Sequence, residues 1–527
     1  MSQESNSRVP RSRKISAAQA SLAVTRNTLW NLLGTVLPIL TAGVTIPVLI
    51  HYAGIERFGV FAIALSLLGY FGFLDLGLGR STTKFLAEAF EHNRIVEGRA
   101  IFWTSIILIG LTGIIGALLL TALTPLLVTR VLNVPVELRS EALGAFHVLA
   151  LGVPLVSLHA ATRGALEAQH RFSLTSTIFV INSMITQVSP LLVLPFTHNL
   201  KWLVGALVLS RLSATATFLV TALRHIDNPF EGPFFLHRRL RTLLSYSVWQ
   251  GITNAISPIM ENADRIIIGA LSSLSAVAYY SVPAEIVNRL TVISVSFGRT
   301  TFPIFSADAA AEQRSYVYAK YSKYLVLLLA PVSASVVVFA PDALQLWLGS
   351  SFAKQSALVL QILAVGLLMN SLAMLPFMLI QGIGRADITA KFHLLELTAF
   401  LPLLWYGVHY AGIIGASVVW TIRVGADFLL LILYIRSKNI VDVQIVANER
   451  LRQAYWSGFL LLIAGWLLQA VTTQPTLKFG IWSGLLVVAV YSVWWRLLTL
   501  EERNTSASIA RRIMTLVVSR FAKNKRG

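Results

Sequence analysis

Long apolar runs alternate with short polar segments along almost the whole chain. Each of fourteen runs approaches the ~20 residues that a helix needs to cross ~30 Å of hydrocarbon. They predict membrane-spanning helices at residues 28–50, 57–79, 101–121, 142–162, 174–195, 201–222, 243–270, 276–303, 324–340, 357–380, 392–411, 412–435, 454–471 and 480–498. The connecting segments, of about 20 residues or fewer, leave no room for a folded soluble domain. The predicted fold is an all-α polytopic membrane protein.

The predicted spans fall into two similar halves. At a shift of 219 residues Trp30 aligns with Trp249, and at a shift of 212 residues Arg211 aligns with Arg423. Six spans separate the copies, so both halves have the same orientation and form a parallel repeat. A resemblance of membrane segments by composition alone is the simpler alternative. The repeat predicts seven regions: a basic cytoplasmic segment (1–27), a six-helix bundle (28–222), a cytoplasmic linker (223–242), a second six-helix bundle (243–435), another cytoplasmic linker (436–453), an added helix pair (454–498) and a basic cytoplasmic tail (499–527).

Composition supports a membrane location and explains the basic charge. The chain has 527 residues, 55% of them hydrophobic and 13% charged, where soluble proteins have about 25% charged residues. The net charge of +19 would suit a nucleic-acid surface, but its distribution argues against one. Thirty-two Lys and Arg residues fall in connecting segments on the side of the N-terminus, and six fall on the opposite side. This bias predicts a bacterial cytoplasmic (inner) membrane protein with both termini in the cytoplasm.

Several classes of function lack their signatures in this sequence. The chain has no cysteine, which removes disulfides, thiol chemistry and zinc sites built on cysteine. We find no GxxxxGK[ST] phosphate loop, HExxH or GxSxG motif. We therefore expect no cofactor, no metal and no enzymatic activity.

Ionisable residues within apolar spans are candidates for function, because each costs about 2.5–3.5 kcal/mol to insert near the bilayer centre. Three oppositely charged pairs have i,i+4 spacing, which places both members on one helix face: Glu261 with Arg265, Glu285 with Arg289, and Arg423 with Asp427. Asp264 lies beside the first pair, and Arg211 has Thr215 where its copy has Asp427. We expect these groups to face a cavity between the bundles. The alternative is that they are ion pairs that lock helices together.

Two segments resemble a known transporter family. Residues 58–89, FGVFAIALSLLGYFGFLDLGLGRSTTKFLAEA, contain an FG-x-F entry, a long apolar run, LDLGLG, and then a basic residue with Ser and Thr. Residues 262–286, NADRIIIGALSSLSAVAYYSVPAEI, contain an Asp-Arg-x-x-Ile-Gly helix end followed by tyrosine. Both are similar to the polysaccharide-unit (O-antigen type) flippase family of the multidrug/oligosaccharidyl-lipid/polysaccharide exporter superfamily.

The resemblance implies a lipid-linked substrate. Such a flippase moves an undecaprenyl-pyrophosphate-linked sugar unit from the cytoplasmic to the outer leaflet, by alternating access of its two bundles. Its expected partners are membrane lipid, the lipid-linked sugar, and polysaccharide polymerase and chain-length proteins. Flipping is driven either by the membrane potential, worth ~2.3 kcal/mol per charge per 100 mV, or by a counter-moving proton. The candidate ion-coupling residues are Glu261, Asp264, Arg265 and Glu285.

The resemblance also assigns candidate binding and gate residues. Arginine binds phosphate oxygens in a fork, so we favour Arg289 for the pyrophosphate, followed by Arg211 and Arg423. The acids Glu285 and Asp427 belong to the same predicted site. Other candidates for contact with the sugar are Tyr70, Trp249, Gln250, Asn254 and Tyr280, for which packing is the alternative. The candidate gate residues are Asp75, Arg80, Ser81, Thr82, Lys84 and Arg299, for which a structural cap or salt bridge is the alternative.

Three rival functions stay open at this point. A drug or cation antiporter of the same superfamily should have an acidic or apolar cavity. A lipid II flippase differs only in its sugar substrate. A membrane glycosyltransferase, polymerase or ligase should have a large external loop or an Asp-x-Asp metal site, and the sequence contains neither.

Overall fold

The computed structural model describes residues 37–72 except Ile39, 78–231 except His170, 256, 259–306, 310–504, 508 and 515. These residues are almost entirely helical. The helices are α1 (Leu40–Ala53), α2 (Ile55–Phe71), α3 (Leu78–Glu91), α4 (Ile95–Leu126), α5 (Arg139–Ala168), α6 (Phe172–Val193), α7 (Leu200–Arg224), α8 (259–271), α9 (Leu274–Leu290), α10 (Val292–Ser306), α11 (Ala311–Leu348), α12 (Ser350–Gly382), α13 (Ala386–Ser437), α14 (Val443–Asn448), α15 (Leu451–Val471) and α16 (Pro475–Ser492).

The predicted spans coincide with helices wherever they are described. Nine helices in the described ranges are long and apolar enough to cross a membrane, and α1 is a shorter apolar helix. The all-α membrane fold is therefore confirmed. The predicted span 276–303 consists of two helices, α9 and α10, which meet at Thr291.

The spans predicted at 392–411 and 412–435 form the two arms of α13. The helix is broken at Gly412, whose φ of 55° and ψ of −135° are not helical. The arms pack so closely that a Cβ added to Gly415 would lie 1.8 Å from the carbonyl oxygen of Gly407. Glycine is needed here because the two backbones occupy the space of a side chain.

The chain divides into two compact units that do not follow the predicted bundle boundaries. The first contains Met1–Leu49, Leu74–Leu120 and Val148–Gly251, and the second contains Ile50–Phe73, Thr121–His147 and Ile252–Gly527. The first unit has an apolar core in which Phe102 and Phe218 are fully buried. There the segment after α7 is held by α4, because Trp103 Nε1 donates to the carbonyl oxygen of Pro229 at 2.7 Å.

Buried lysines attach the last helices of the second unit to α11. Lys323 is fully buried, and its ammonium group lies 2.9 Å from the carboxylates of both Glu449 and Glu502. Further along α11, the buried ammonium of Lys478 lies 2.9 Å from Asp342. These ion pairs fix the position of α15, α16 and the segment after α16 on the core of the unit.

The second unit also contains segments from the first half of the sequence, packed against α8 and α9. The amide of Asn133 donates to the carbonyl oxygens of Ala270 and Ser272, each at 2.9 Å. A Cβ added to Gly59 would lie 2.0 Å from the carbonyl oxygen of Leu274, so α2 meets the start of α9 backbone to backbone. We call this contact region, defined by Gly59, Asn133 and Leu274, the α2–α9 seam.

Candidate functional site

A polar cavity of about 480 Å³ lies within the second unit. Four parts of the chain line it: α8, the α9–α10 junction, α12 and both arms of α13. The lining residues are Met260, Glu261, Asn288, Thr291, Val295, Asn370, Ala373, Met374, Phe377, His393, Trp420, Arg423 and Asp427. Apolar walls with a few converging polar groups are typical of a binding site for small molecules.

The junction of α9 and α10 brings polar groups to the cavity. The hydroxyl of Thr291 donates to the carbonyl oxygen of Asn288 at 2.6 Å, and Ser294 donates to the carbonyl oxygen of Thr291 at 2.7 Å. Such bonds from hydroxyl side chains back to preceding carbonyls bend membrane helices. The bend therefore lies where Asn288 and Thr291 line the cavity.

Arg423 lies within a cluster of ionisable side chains at the cavity wall. Its Nη1 lies 3.4 Å from a carboxylate oxygen of Glu396, which is 6% exposed, and its guanidinium lies 5.3 Å from the centre of the Phe400 ring. The carboxyls of Glu396 and Asp427 interact with each other. Four buried polar atoms of this cluster have no hydrogen-bond partner among the described residues: Arg423 Nε, Glu396 Oε1, Asp427 Oδ1 and His393 Nδ1. The cluster can therefore accept further hydrogen bonds from a ligand and donate to it.

The three predicted ion pairs have different outcomes. Glu285 and Arg289 pair as predicted, with 2.7 Å between Oε1 and Nη2. The predicted pairing of Arg423 with Asp427 is wrong, because the described ion pair of Arg423 is with Glu396 on the other arm of α13. The reason is geometric: i,i+4 spacing fixes only which face two residues share, and the neighbouring helix decides which acid is nearer.

The predicted pairing of Glu261 with Arg265 is also wrong. The guanidinium of Arg265 donates instead to the hydroxyl of Ser66 at 2.8 Å and to Asn262 at 3.4 Å. Glu261 lines the cavity, within electrostatic range of Arg423. One turn of the helix therefore separates a cavity acid from an arginine that packs against α2.

Asp264 and Tyr280 form a buried pair. The tyrosine hydroxyl donates to Asp264 Oδ2 at 2.6 Å, and the backbone N–H of Arg265 donates to Oδ1 at 2.8 Å. Tyr280 is 1% exposed, so in this conformation it packs and cannot contact a sugar as predicted. The hydroxyl of Tyr70 likewise donates to the carbonyl oxygen of Ile259 at 3.2 Å.

Arg211 lies in the first unit, apart from the cavity lining. Its Nε is buried without a hydrogen-bond partner among the described residues, and it lies within electrostatic range of His159. On the same helix, Thr215 donates to the carbonyl oxygen of Leu155 at 3.0 Å. In the second half Thr421 donates to Ile362 of α12 at 3.1 Å. In both halves a threonine of the sixth span thus bonds the backbone of the fourth, as a repeat predicts.

The predicted gate residues are partly packed and partly exposed. Ser81 and Thr82 are fully buried, so they pack inside the first unit and do not offer donors at a mouth as predicted. Lys84 is exposed, with its ammonium 5.6 Å from the centre of the Phe85 ring, and Arg299 is exposed. The remaining candidates lie outside the described residues: Asp75, Trp249, Gln250, Asn254 and the side chain of Arg80. Their roles stay predictions.

Sequence reasoning missed Glu396 and His393. Both are ionisable residues in an apolar span, the signal that selected the other candidates, but neither has an i,i+4 partner of opposite charge. The polar residues Asn288 and Asn370 were missed because an uncharged side chain gives no such signal. No group of three or more acidic or histidine side chains that could hold a metal ion occurs in the described part of the chain.

The helices, the parallel repeat and a polar cavity within one unit define a polytopic membrane transporter of the multidrug/oligosaccharidyl-lipid/polysaccharide exporter fold. Residues 24–309 match the family described as "Polysaccharide biosynthesis protein". The chain is 31% identical over 412 residues to a "Putative O-antigen transporter" of Shigella flexneri, covering 78% of this chain and 97% of that protein. The chain therefore belongs to the polysaccharide-unit flippase family of this superfamily.

Solved structures show the same fold. The lipid II flippase MurJ in an inward closed conformation superposes with a TM-score of 0.70 at 12% identity, covering 89% of this chain and 99% of that chain. An inward-facing multidrug resistance MATE family transporter superposes with a TM-score of 0.63 at 15% identity, covering 77% and 97%. At these identities the likeness concerns the fold. The relatives are named as transporters, and the chain is an integral membrane protein.

Proposed function

We propose that this protein flips an undecaprenyl-pyrophosphate-linked oligosaccharide from the cytoplasmic to the outer leaflet for the synthesis of O-antigen, capsule or exopolysaccharide. The observation that carries the proposal is the 31% identity to an O-antigen transporter across 97% of that protein's length. A flippase is physically necessary for such a substrate, because unpaired sugar hydroxyls cost a few kcal/mol each to bury and a pyrophosphate costs far more.

Arg423 is the best-placed cation for the pyrophosphate, because among the three predicted arginines it is the one that lines the polar cavity. Its side chain is 13% exposed, and its Nε is available for a further bond. The aromatic ring of Trp420 and the amides of Asn288 and Asn370 lie on the same cavity and suit a sugar. Arg289 and Arg211 serve the substrate at other stages of its path.

The orientation follows from the distribution of basic residues. With both termini in the cytoplasm, the α2–α9 seam faces the outside. Backbone contact at Gly59 and the two amide bonds of Asn133 close the second unit at that end. The structure then represents a state closed toward the outside, and export requires the seam to open.

Ion coupling is proposed at the acidic side of the same cavity. Glu261 and Asp427 line it, and Glu396 lies behind Arg423. Neighbouring carboxyls such as Glu396 and Asp427 can carry one proton between them. A proton that binds there changes the charge that Arg423 experiences, which links protonation to release of an anion. Collapse of the membrane potential at fixed pH separates this drive from a potential-driven one, because a proton-driven flippase continues to work on the pH gradient.

The test measures flipping of a fluorescent lipid-linked oligosaccharide by purified protein in vesicles, with polysaccharide export in cells as a second readout. We expect Arg423→Gln to reduce both at normal membrane abundance, and Arg423→Lys to retain part of the activity. Arg423→Gln leaves Glu396 without its ion partner, so the double variant Arg423→Gln with Glu396→Gln separates lost function from misfolding. Arg385→Gln, at an exposed loop arginine, is the matched control. Full activity of the double variant would remove Arg423 from the site.

A cation antiporter is a second candidate, favoured by one observation. Two acids, Glu261 and Asp427, line the cavity together with one arginine, Arg423, which is more acidic than the balanced cavity expected from the sequence. Overexpression in a drug-sensitive strain distinguishes the two functions. Resistance to cationic drugs without any effect on polysaccharide export would favour the antiporter.

A further inference from the structure

A second cavity, an apolar groove of about 500 Å³, lies on the other side of α9 from the polar cavity lining. We call it the α11 groove. Most of its wall belongs to α11, with one residue each from α9 and α12. The lining residues are Ile286, Pro331, Val332, Ser335, Val336, Phe339, Ala340, Ala343, Leu344, Trp347 and Leu360.

The α11 groove has no polar group available to a ligand. Its one hydroxyl, of Ser335, donates to the carbonyl oxygen of Pro331 at 2.7 Å and accepts from Trp482 Nε1 at 3.0 Å. Burial of an apolar chain there leaves no polar atom unsatisfied. The groove therefore suits hydrocarbon and does not suit a sugar, a headgroup or water.

The length and position of the α11 groove match a chain that continues through the membrane. Pro331 and Trp347 are 16 positions apart on α11, which is ~24 Å at helical rise. The Trp347 end lies near the turn at Gly349 between α11 and α12, and the Pro331 end lies in the middle of α11. Such a groove is close to the thickness of one bilayer leaflet.

A charged pair lies at the inner end of the α11 groove. Ile286 precedes Arg289 by three residues, so the two lie on neighbouring positions of one face of α9. Arg289 pairs with Glu285 through Nη2, and its Nε is buried without a partner among the described residues. A guanidinium has five N–H donors in a fixed fork, so it can bind phosphate oxygens with the donors that Glu285 leaves.

We propose that the α11 groove binds the polyisoprenoid tail of the substrate while Arg289 contacts its pyrophosphate. The inference rests on the proposed function and extends it, since it assigns the tail a binding site separate from the site for the sugar. An apolar groove that ends at a phosphate-binding arginine complements a molecule with one anionic end and a long hydrocarbon chain. A lipid with short chains fills only part of its length.

The experiment compares two probes with the same headgroup, undecaprenyl pyrophosphate and farnesyl pyrophosphate, bound to the full-length protein in nanodiscs. Val336→Phe and Ala343→Phe place a ring in the α11 groove. Leu346→Phe adds a ring on the same helix at a position that is 92% exposed, and it is the matched control. Loss of contact for two methylene groups is enough for about a tenfold loss of affinity.

We expect both groove variants to weaken binding of undecaprenyl pyrophosphate at least about tenfold and to change binding of farnesyl pyrophosphate less than about twofold. Leu346→Phe should change neither. An equal loss for both probes, no loss for either, or the same loss in Leu346→Phe would overturn the tail site. So would a change of oligomeric state in Ala343→Phe, which would identify the groove as an interface between copies.

Failure of the proposed function has a different result. If the unmodified protein flips the lipid-linked oligosaccharide but the groove variants bind the long probe normally, the tail site is rejected and the function stands. If the unmodified protein binds neither probe and flips no lipid-linked oligosaccharide, both proposals fall.

Discussion

Gly59 offers a direct way to shift the conformation of the second unit. A Cβ at this position would lie 2.0 Å from the carbonyl oxygen, 2.7 Å from the carbonyl carbon and 3.2 Å from the Cα of Leu274. All three atoms are backbone, so no side-chain rotation relieves the clash. An ordinary contact with the oxygen requires α2 and the start of α9 to separate by over an ångström.

Overpacking of this kind costs about 1–3 kcal/mol. The cost falls only on conformations in which the α2–α9 seam is closed. Since 1.4 kcal/mol corresponds to a tenfold change in an equilibrium, Gly59→Ala should reduce the closed population by about tenfold or more relative to open conformations. We expect flipping to slow as well, because alternating access needs both states.

The assay uses the absence of cysteine from the chain. Cysteines introduced at Asn133 and Ser272, whose parent residues are in contact, report closure of the α2–α9 seam through the rate at which a short bis-maleimide links them. Gly69→Ala, on the same helix, is the control, because the nearest atom to its added Cβ is a side-chain nitrogen at 3.8 Å. Equal linking rates in the Gly59→Ala and Gly69→Ala backgrounds would refute the reasoning.

Three further predictions concern stability. Lys323→Met leaves two carboxylates near the end of α11 without their buried cation, and we expect a loss of about 3–5 kcal/mol in a thermal or denaturant unfolding assay. Burial alone would raise the pKa of Glu502, but the hydrogen bonds from Lys323 and from a backbone N–H outweigh it, and the pKa is lowered. That stabilisation is present above the ordinary pKa of Glu and is lost as the pH falls through the lowered value, so Glu502→Gln should flatten the acid limb of a stability–pH profile. Gly415→Ala places a Cβ 1.8 Å from the carbonyl oxygen of Gly407, and we expect a lower melting temperature and lower membrane abundance.

Each of these predictions has a control on the same element. Lys320→Met removes an exposed lysine of α11 and should leave stability within about 0.5 kcal/mol of the unmodified protein. Gly425→Ala adds a Cβ to α13 with no atom within 4 Å, and it should be neutral or slightly stabilising. Equal effects of Lys323→Met and Lys320→Met would mean that the buried ion pairs contribute nothing to stability.

Local features of this protein could be predicted from the sequence. The apolar runs predicted the helices, because the length needed to cross the bilayer and the need to satisfy every backbone group inside it leave little choice of structure. The Glu285–Arg289 pair was also predictable, because the geometry of one helix places i and i+4 side by side. The break between the two arms of α13 lies at Gly412, within the turn that the sequence indicated.

Contacts between helices could not be predicted in the same way. Arg423 pairs with Glu396, 27 positions away, and Lys323 meets Glu502, 179 positions away. Tyr280 lies 16 residues from Asp264, but it is their burial that makes their hydrogen bond structural.

The sequence by itself determined that the protein is a bundle of membrane helices with basic residues on one side, because hydrophobic length and charge act residue by residue. The tertiary structure decided which ionisable residues share the polar cavity and which are packed in helix contacts. It also decided that an apolar groove begins one turn from Arg289. These outcomes depend on the rotation and axial position of each helix relative to its neighbours, and a single sequence carries no independent signal for either quantity.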